Sequence, residues 1–134
     1  MPDETKNVGI VLLAHGARDS RWGAPFLSVL ERVRADAPDL AVELAYLEHL
    51  APSLPEAVRR LADRGAASIR VVPLFFGRGG HLREDVPALV AAIAAERPGI
   101  TVEVTLPAGD DSSVQRSLAE FCIRAARGAG EERG

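Results

Sequence analysis

Four short apolar runs, each followed by a stretch with helical spacing, divide this chain. The first run, Gly9 to Ala14, reads GIVLLA. The others are Ala41 to Leu47, Ser68 to Phe75 and Thr101 to Leu106. Each is short, rich in branched residues and bounded by turn-forming or polar residues, which predicts buried strands. The first intervening stretch, Gly23 to Ala37, places Phe26, Leu27, Leu30 and Val33 on one stripe, with Pro38 beyond its end. The second opens at Ser53-Leu54-Pro55-Glu56, where Ser53 can cap and Pro55 and Glu56 suit a first turn. It presents Val58, Leu61 and Ala62, and Gly65 is placed to end it. The third begins between His81 and Val86 and carries Leu89, Val90 and Ile93 towards Pro98. The fourth, Ser112 to Ala126, closes the domain, with Asp110, Asp111 and Ser112 as candidate caps.

Strands alternating with helices predict an α/β fold: a three-layer domain with a parallel sheet between helices. Right-handed crossovers then give the strand order 2-1-3-4 most simply. The expected unit is one domain over residues 1–134, with a core at about 8–127 and a Gly-rich, charged tail at 128–134 that frays. In that order strands one and three are neighbours and the winding reverses between them. The reversal opens a crevice at their carboxyl ends, where open α/β sheets bind ligands. His15 follows strand one and His81 follows strand three, so both are expected on the crevice. Glu48 and His49, ending strand two, lie on the same edge.

Composition narrows the classes. The chain has 134 residues, is 47% hydrophobic and 26% charged, and is only 4% aromatic. That suits one globular domain with an aliphatic core. A net charge of −3 argues against a nucleic-acid binder. No run reaches the ~20 apolar residues that span a bilayer. Cys122 is the sole cysteine, excluding an internal disulfide and a thiolate zinc site. A small core residue is the expected role for it. The polar start and the single thiol point to the cytoplasm.

Two imidazoles at one crevice suit a divalent transition metal or a proton transfer. Each candidate also has a plainer reading. His15, in Ala14-His15-Gly16-Ala17-Arg18-Asp19, is either a strand-end histidine bonded to a loop or a ligand and base, with Gly16 allowing close approach. A histidine phosphatase would carry an arginine before the His-Gly pair, and Ala14 stands there. His81 follows Gly77, Gly79 and Gly80, glycines that bring backbone close to something flat or bulky. Their spacing matches neither the dinucleotide fingerprint nor the lysine-containing phosphate loop. His81 as a mere helix cap is the alternative. Glu48 is an oxygen ligand, a carboxylate that orients an imidazole, or an exposed loop acid. Strand alternation sends His49 to the opposite side, towards solvent. Arg18, Arg21, Arg78 and Arg83 flank the crevice loops and can clamp carboxylates or stand solvated.

The segments AHGARD, LEHLAPSLPEA and VVPLFFGRGGHLREDVP together resemble the small CbiX-type sirohydrochlorin chelatases, of the class II chelatases. The likeness runs from about Val8 to Gly109, and its third segment is the most specific. It implies insertion of a divalent metal, Co²⁺, Ni²⁺ or Fe²⁺, into sirohydrochlorin, a carboxylate-rich tetrapyrrole of cobalamin and siroheme synthesis, without an organic cofactor. It implies metal contacts at His15 and His81, with His15 the proton acceptor and Glu48 a further metal candidate. The tetrapyrrole would lie along Phe76, Gly77, Arg78, Gly79, Gly80 and His81, near Ala51, with Arg18 for its carboxylates. The short members pair as homodimers. Two features depart from the family pattern: Arg78 stands in an unusually glycine-rich loop, and Asp110 and Asp111 follow Gly109 where a histidine is common. A non-catalytic metal or tetrapyrrole carrier on the same fold is the alternative reading.

Overall fold

The computed structural model describes residues 8–16, 19, 23–76 and 80–128, with residues 80–84 described by their backbone alone. The elements are β1 (Val8–Ala14), α1 (Ala24–Asp36), β2 (Ala41–Tyr46), α2 (Leu54–Asp63), β3 (Ser68–Pro73), α3 (Gly80–Glu96), β4 (Thr101–Val104), a 3-10 turn (Ala108–Asp110) and α4 (Ser112–Arg127). All four strands are parallel in the order β2-β1-β3-β4. This is the expected α/β topology, with the winding reversal between β1 and β3.

Side-chain alternation along the strands divides the interior into two layers. On one face Val11, Leu13, Ala45, Ile69 and Val71 pack with Leu54, Val58 and Leu61 of α2 and Val86, Val90 and Ile93 of α3. On the other, Leu12, Ala14, Val42, Leu44 and Tyr46 pack with Leu30 of α1, beside Phe26 and Val33. Leu27 stands out of that contact, half-exposed, so the α1 stripe is narrower than expected. The capping box at Ser53 is present: its hydroxyl accepts from the Glu56 amide at 3.3 Å, and Glu56 Oε1 accepts in return from the Ser53 amide. Gly65, at φ +100, ends α2 as expected.

Three strands stop earlier than their apolar runs. β2 ends at Tyr46, whose amide turns to the Pro52 carbonyl at 3.0 Å; β3 ends at Pro73 and β4 at Val104. The extra apolar residues Phe75 and Leu106 belong to the loops. The largest departure is α4. None of its residues is buried, and Leu118, Phe121 and Ile123 stand exposed. It packs against the 3-10 turn and does not close the second face, where Arg70, Thr101 and Glu103 are exposed on β3 and β4. Cys122 is therefore exposed, not a core residue, because its helix has no core to enter. Residues 129–134 of the expected tail lie outside the described residues.

Candidate functional site

The carboxyl ends of β1 and β2 are stitched together beyond their last ladder residues. The Leu47 amide donates to the Ala14 carbonyl at 3.0 Å, and the Glu48 amide to the His15 carbonyl at 3.2 Å. These bonds hold two strand-end side chains side by side. His15 Nε2 lies 3.2 Å from Glu48 Oε1, with the imidazole 58% and the carboxylate 53% exposed. Gly16 makes the approach possible. Its φ is +97, and a Cβ placed there would overlap the Glu48 carbonyl oxygen. The Phe75 ring meets the His15 imidazole edge-on, with centroids 6.5 Å apart at 84°.

His49 is exposed, as expected, but it does not point away from Glu48. β2 has already ended, so period-two geometry no longer applies. The Leu50 amide donates back to the Glu48 carbonyl at 2.9 Å, making a γ-turn with His49 at its centre and φ +70. That positive-φ form is the rarer and more strained γ-turn. The turn returns the imidazole to the acid beside it: His49 Nε2 is 3.8 Å from Glu48 Oε2. One carboxylate thus faces two imidazoles, one on each oxygen. Among the described residues, no three His, Cys, Asp or Glu side chains converge on a single ion position.

Beside His15 opens an apolar cleft of about 330 Å³, lined by His15, Gly16, Gly23, Phe26, Tyr46, Leu50, Leu74 and Phe75. Tyr46, largely buried, turns its hydroxyl towards Gly23, where a Cβ would stand 3.1 Å from that oxygen. Burial raises the phenol's pKa above its ordinary value. The loop that carries Phe75 is braced from below. The Gly109 amide donates to the Phe75 carbonyl at 2.9 Å, and a side chain on Gly109 would run into the Phe76 backbone. Gln115 Nε2 in turn donates to the Gly109 carbonyl at 2.9 Å, so α4 supports the crevice indirectly. Sequence reasoning missed Tyr46, Leu74 and Phe75 at strand ends and Phe26 on α1, because apolar residues that line a cleft carry the same signal as core residues.

The remaining expected site residues divide cleanly. Ala51 and Phe76 lie in loops at this carboxyl edge and are exposed. Gly80 and His81 form the first turn of α3, so His81 lies inside the helix and does not cap it. The His81 side chain lies outside the described residues, as do Arg18, Gly77, Arg78 and Gly79. The carboxyl edges of β1 and β3 are adjacent all the same: the Leu74 amide donates to the Leu13 carbonyl at 2.8 Å. The segment leading to His81 therefore leaves the sheet next to His15.

Fold and site together define an open α/β protein with an imidazole–carboxylate pair beside an apolar cleft at its switch point. Residues 9–125 match the CbiX family model, and the chain belongs to the CbiX family. The sirohydrochlorin cobaltochelatase of Sulfolobus acidocaldarius is 30% identical over 118 residues, covering 88% of this chain and 92% of that protein. Among solved structures, a CbiX protein assigned to cobalamin (vitamin B12) biosynthesis in Marinobacter aquaeolei superposes with TM-score 0.79 at 33% identity. That match covers 90% of this chain and 98% of the other. The sirohydrochlorin chelatase SirB of Bacillus subtilis subspecies spizizenii, solved in complex with cobalt, superposes with TM-score 0.74 at 25% identity. There the match covers 85% of this chain but 49% of SirB.

Proposed function

We propose that this protein is a sirohydrochlorin metal chelatase, a lyase that inserts a divalent ion, Co²⁺ first among Co²⁺, Ni²⁺ and Fe²⁺, into the tetrapyrrole. The observation that carries the reading is the His15–Glu48 pair, 3.2 Å apart, at the mouth of the apolar cleft. Insertion needs three things: a face for the flat ring, a base for the pyrrole N–H protons, and donors that hold the ion loosely. The cleft supplies aromatic and aliphatic surface for one edge of the macrocycle, with Phe75 and Phe76 beside it. His15 is the base. A proton taken by its imidazole makes a cation that the Glu48 carboxylate stabilises at hydrogen-bond range. The same groups hold the substrate metal before transfer, joined by His81 from the start of α3. Imidazole and carboxylate are donors that suit Co, Ni and Fe without strong selection among them. Gly77, Gly79 and Gly80 admit the ring plane near Ala51, and Arg18 and Arg78 meet its carboxylates.

The working unit is a homodimer. Val114, Leu118, Phe121 and Ala125 form a stripe along α4 at helical spacing; Val114 is half-buried and the other three are exposed. This chain matches about half the length of SirB, so a second copy would supply an equivalent second half. Sedimentation of the purified protein, with Phe121→Asp as the disrupting variant, tests the pairing. Among the described residues no helix is long and apolar enough to cross a membrane, and a single unpaired cysteine suits a reducing cytoplasm.

The decisive assay mixes protein, sirohydrochlorin and Co²⁺ and follows the tetrapyrrole absorption spectrum. Metallation faster than the uncatalysed rate, with multiple turnovers per protein, is the expected result. Stoichiometric binding without turnover would instead make this a carrier.

A further inference from the structure

The Glu48 carboxylate sits between two imidazoles, yet only His15 has a role in metal insertion so far. A first-row divalent ion binds nitrogen and oxygen at about 2.1 Å, so two donors sharing it stand roughly 3.0–3.8 Å apart as the angle between them opens. Both sides of Glu48 fall in that window: Oε1 to His15 Nε2 is 3.2 Å and Oε2 to His49 Nε2 is 3.8 Å. No single ion position gathers all three groups. The arrangement is two adjoining two-donor positions that share one carboxylate.

The backbone gives a second, independent observation. His49 occupies a left-handed conformation, φ +70, at the centre of a strained γ-turn where glycine would sit at less cost. A β2–α2 loop needing only to turn has no use for an imidazole there. In that turn the His49 ring lies beside Glu48, with Nε2 3.8 Å from Oε2. The Glu48 backbone is held at both ends: its amide donates to the His15 carbonyl and its carbonyl accepts from the Leu50 amide.

We propose that His49 is a metal-contacting residue. Its Nε2 and Glu48 Oε2 form a staging position for the incoming divalent ion, beside the crevice position made by His15 and Glu48 Oε1. An ion bound there by two protein donors and water is held weakly. It passes to the crevice when the carboxylate exchanges one oxygen for the other, with no backbone movement. The inference rests on the reading of His15 and Glu48 as metal donors, and extends it to an exposed neighbour on the other carboxylate oxygen.

The test uses Co²⁺ alone, without tetrapyrrole, titrated into the full-length protein by calorimetry and visible d–d absorption. His49→Gly removes the imidazole while keeping the turn, since glycine accepts the positive φ. His15→Ala should retain Co²⁺ binding, and adding His49→Gly should weaken the remainder about tenfold or more. In turnover, His49→Gly should raise the KM for Co²⁺ by a similar factor and leave kcat at saturating metal near that of the parent. A Co²⁺ isotherm unchanged by His49→Gly in both backgrounds would overturn the proposal, as would a fall in kcat with KM unchanged. Circular dichroism and melting of His49→Gly against His49→Ala guard against a misfolded loop, with the alanine variant the less stable. Should the parent protein bind Co²⁺ through His49 and yet never metallate sirohydrochlorin, the chelatase reading fails while the His49 contact stands.

Discussion

Glu43 and Glu48 lie five residues apart on and just beyond β2, and they illustrate two uses of one side chain. Glu43 is 12% exposed and surrounded: Arg64 at 2.9 Å, Arg60 at 3.3 Å and Arg34 at 4.0 Å reach it from α2 and α1. Arg34 also donates to the Val42 carbonyl at 2.9 Å, so the cluster wraps the edge strand of the sheet. Charged cover of this kind blunts an edge against pairing with other chains. Glu48 is 53% exposed and, among the described residues, its ion-pair partners are the imidazoles of His15 and His49. A carboxylate enclosed by guanidinium groups has no capacity left for exchange. One facing histidines across an open cleft keeps it. Burial and partner type, not the residue itself, separate the structural acid from the one proposed to hold the metal.

The sharpest way to test that contrast is to remove the partner. His15→Ala should slow metallation by about 10²-fold or more, the usual worth of a positioned base. The melting temperature should stay near that of the parent, because the lost ring is mostly solvent-exposed. A variant that kept its rate would make Glu48 an ordinary surface acid. Next in size is Gly16→Ala. The new Cβ would collide with the Glu48 carbonyl, and the residue would be held at φ +97. A loss of about 2–3 kcal/mol in denaturant unfolding is expected, together with metallation, since the strand-end stitching must open.

The third test exchanges the two acids. Glu48→Gln should cut the metallation rate about 10-fold or more and leave unfolding unchanged. Glu43→Gln should do the reverse: about 1–2 kcal/mol less stable, with the deficit shrinking as salt is added, and a normal rate for the folded fraction. Equal effects from the two variants on either measurement would erase the distinction.

Much of this was legible in the chain because it follows from periodicity. The four alternating units, the order 2-1-3-4 and the crevice beside His15 need only apolar spacing and crossover handedness. The capping box at Ser53 was equally plain. What escaped has one physical source: an apolar residue announces burial but not what buries it. Tyr46 and Phe75 read as strand core and line the cleft. Cys122 reads as a small core residue, yet none of the residues of α4 is buried. His49 is exposed as expected, but its side chain turns to Glu48 for a related reason. Alternation holds while the backbone is extended, and the chain leaves that conformation at Leu47, two residues before His49.

The smallest effect concerns a third acid, Glu56, which anchors the far end of the loop that carries Glu48. Tyr46 bridges to Ser53 across that loop, so a loose α2 start would loosen the site. The Glu56 carboxylate accepts from the Ser53 hydroxyl at 3.0 Å and from its amide at 3.4 Å. Those hydrogen bonds, the hydroxyl's first, hold its pKa below the ordinary 4.5, outweighing desolvation, with Arg60 and Arg59 adding a little. A depressed carboxyl pKa stabilises the fold above the unfolded value, and the benefit fades as pH falls through the folded one. Ser53→Ala deletes the helix cap and should cost about 1 kcal/mol at neutral pH. Its deficit against the parent should narrow below about pH 4.5 as Glu56 protonates and loses its preference for the hydroxyl. It should not vanish, because the bond from the Glu56 amide to the Ser53 hydroxyl is independent of that proton. A deficit flat from pH 7 to 3 in urea unfolding would mean the box stabilises through the amide bond alone.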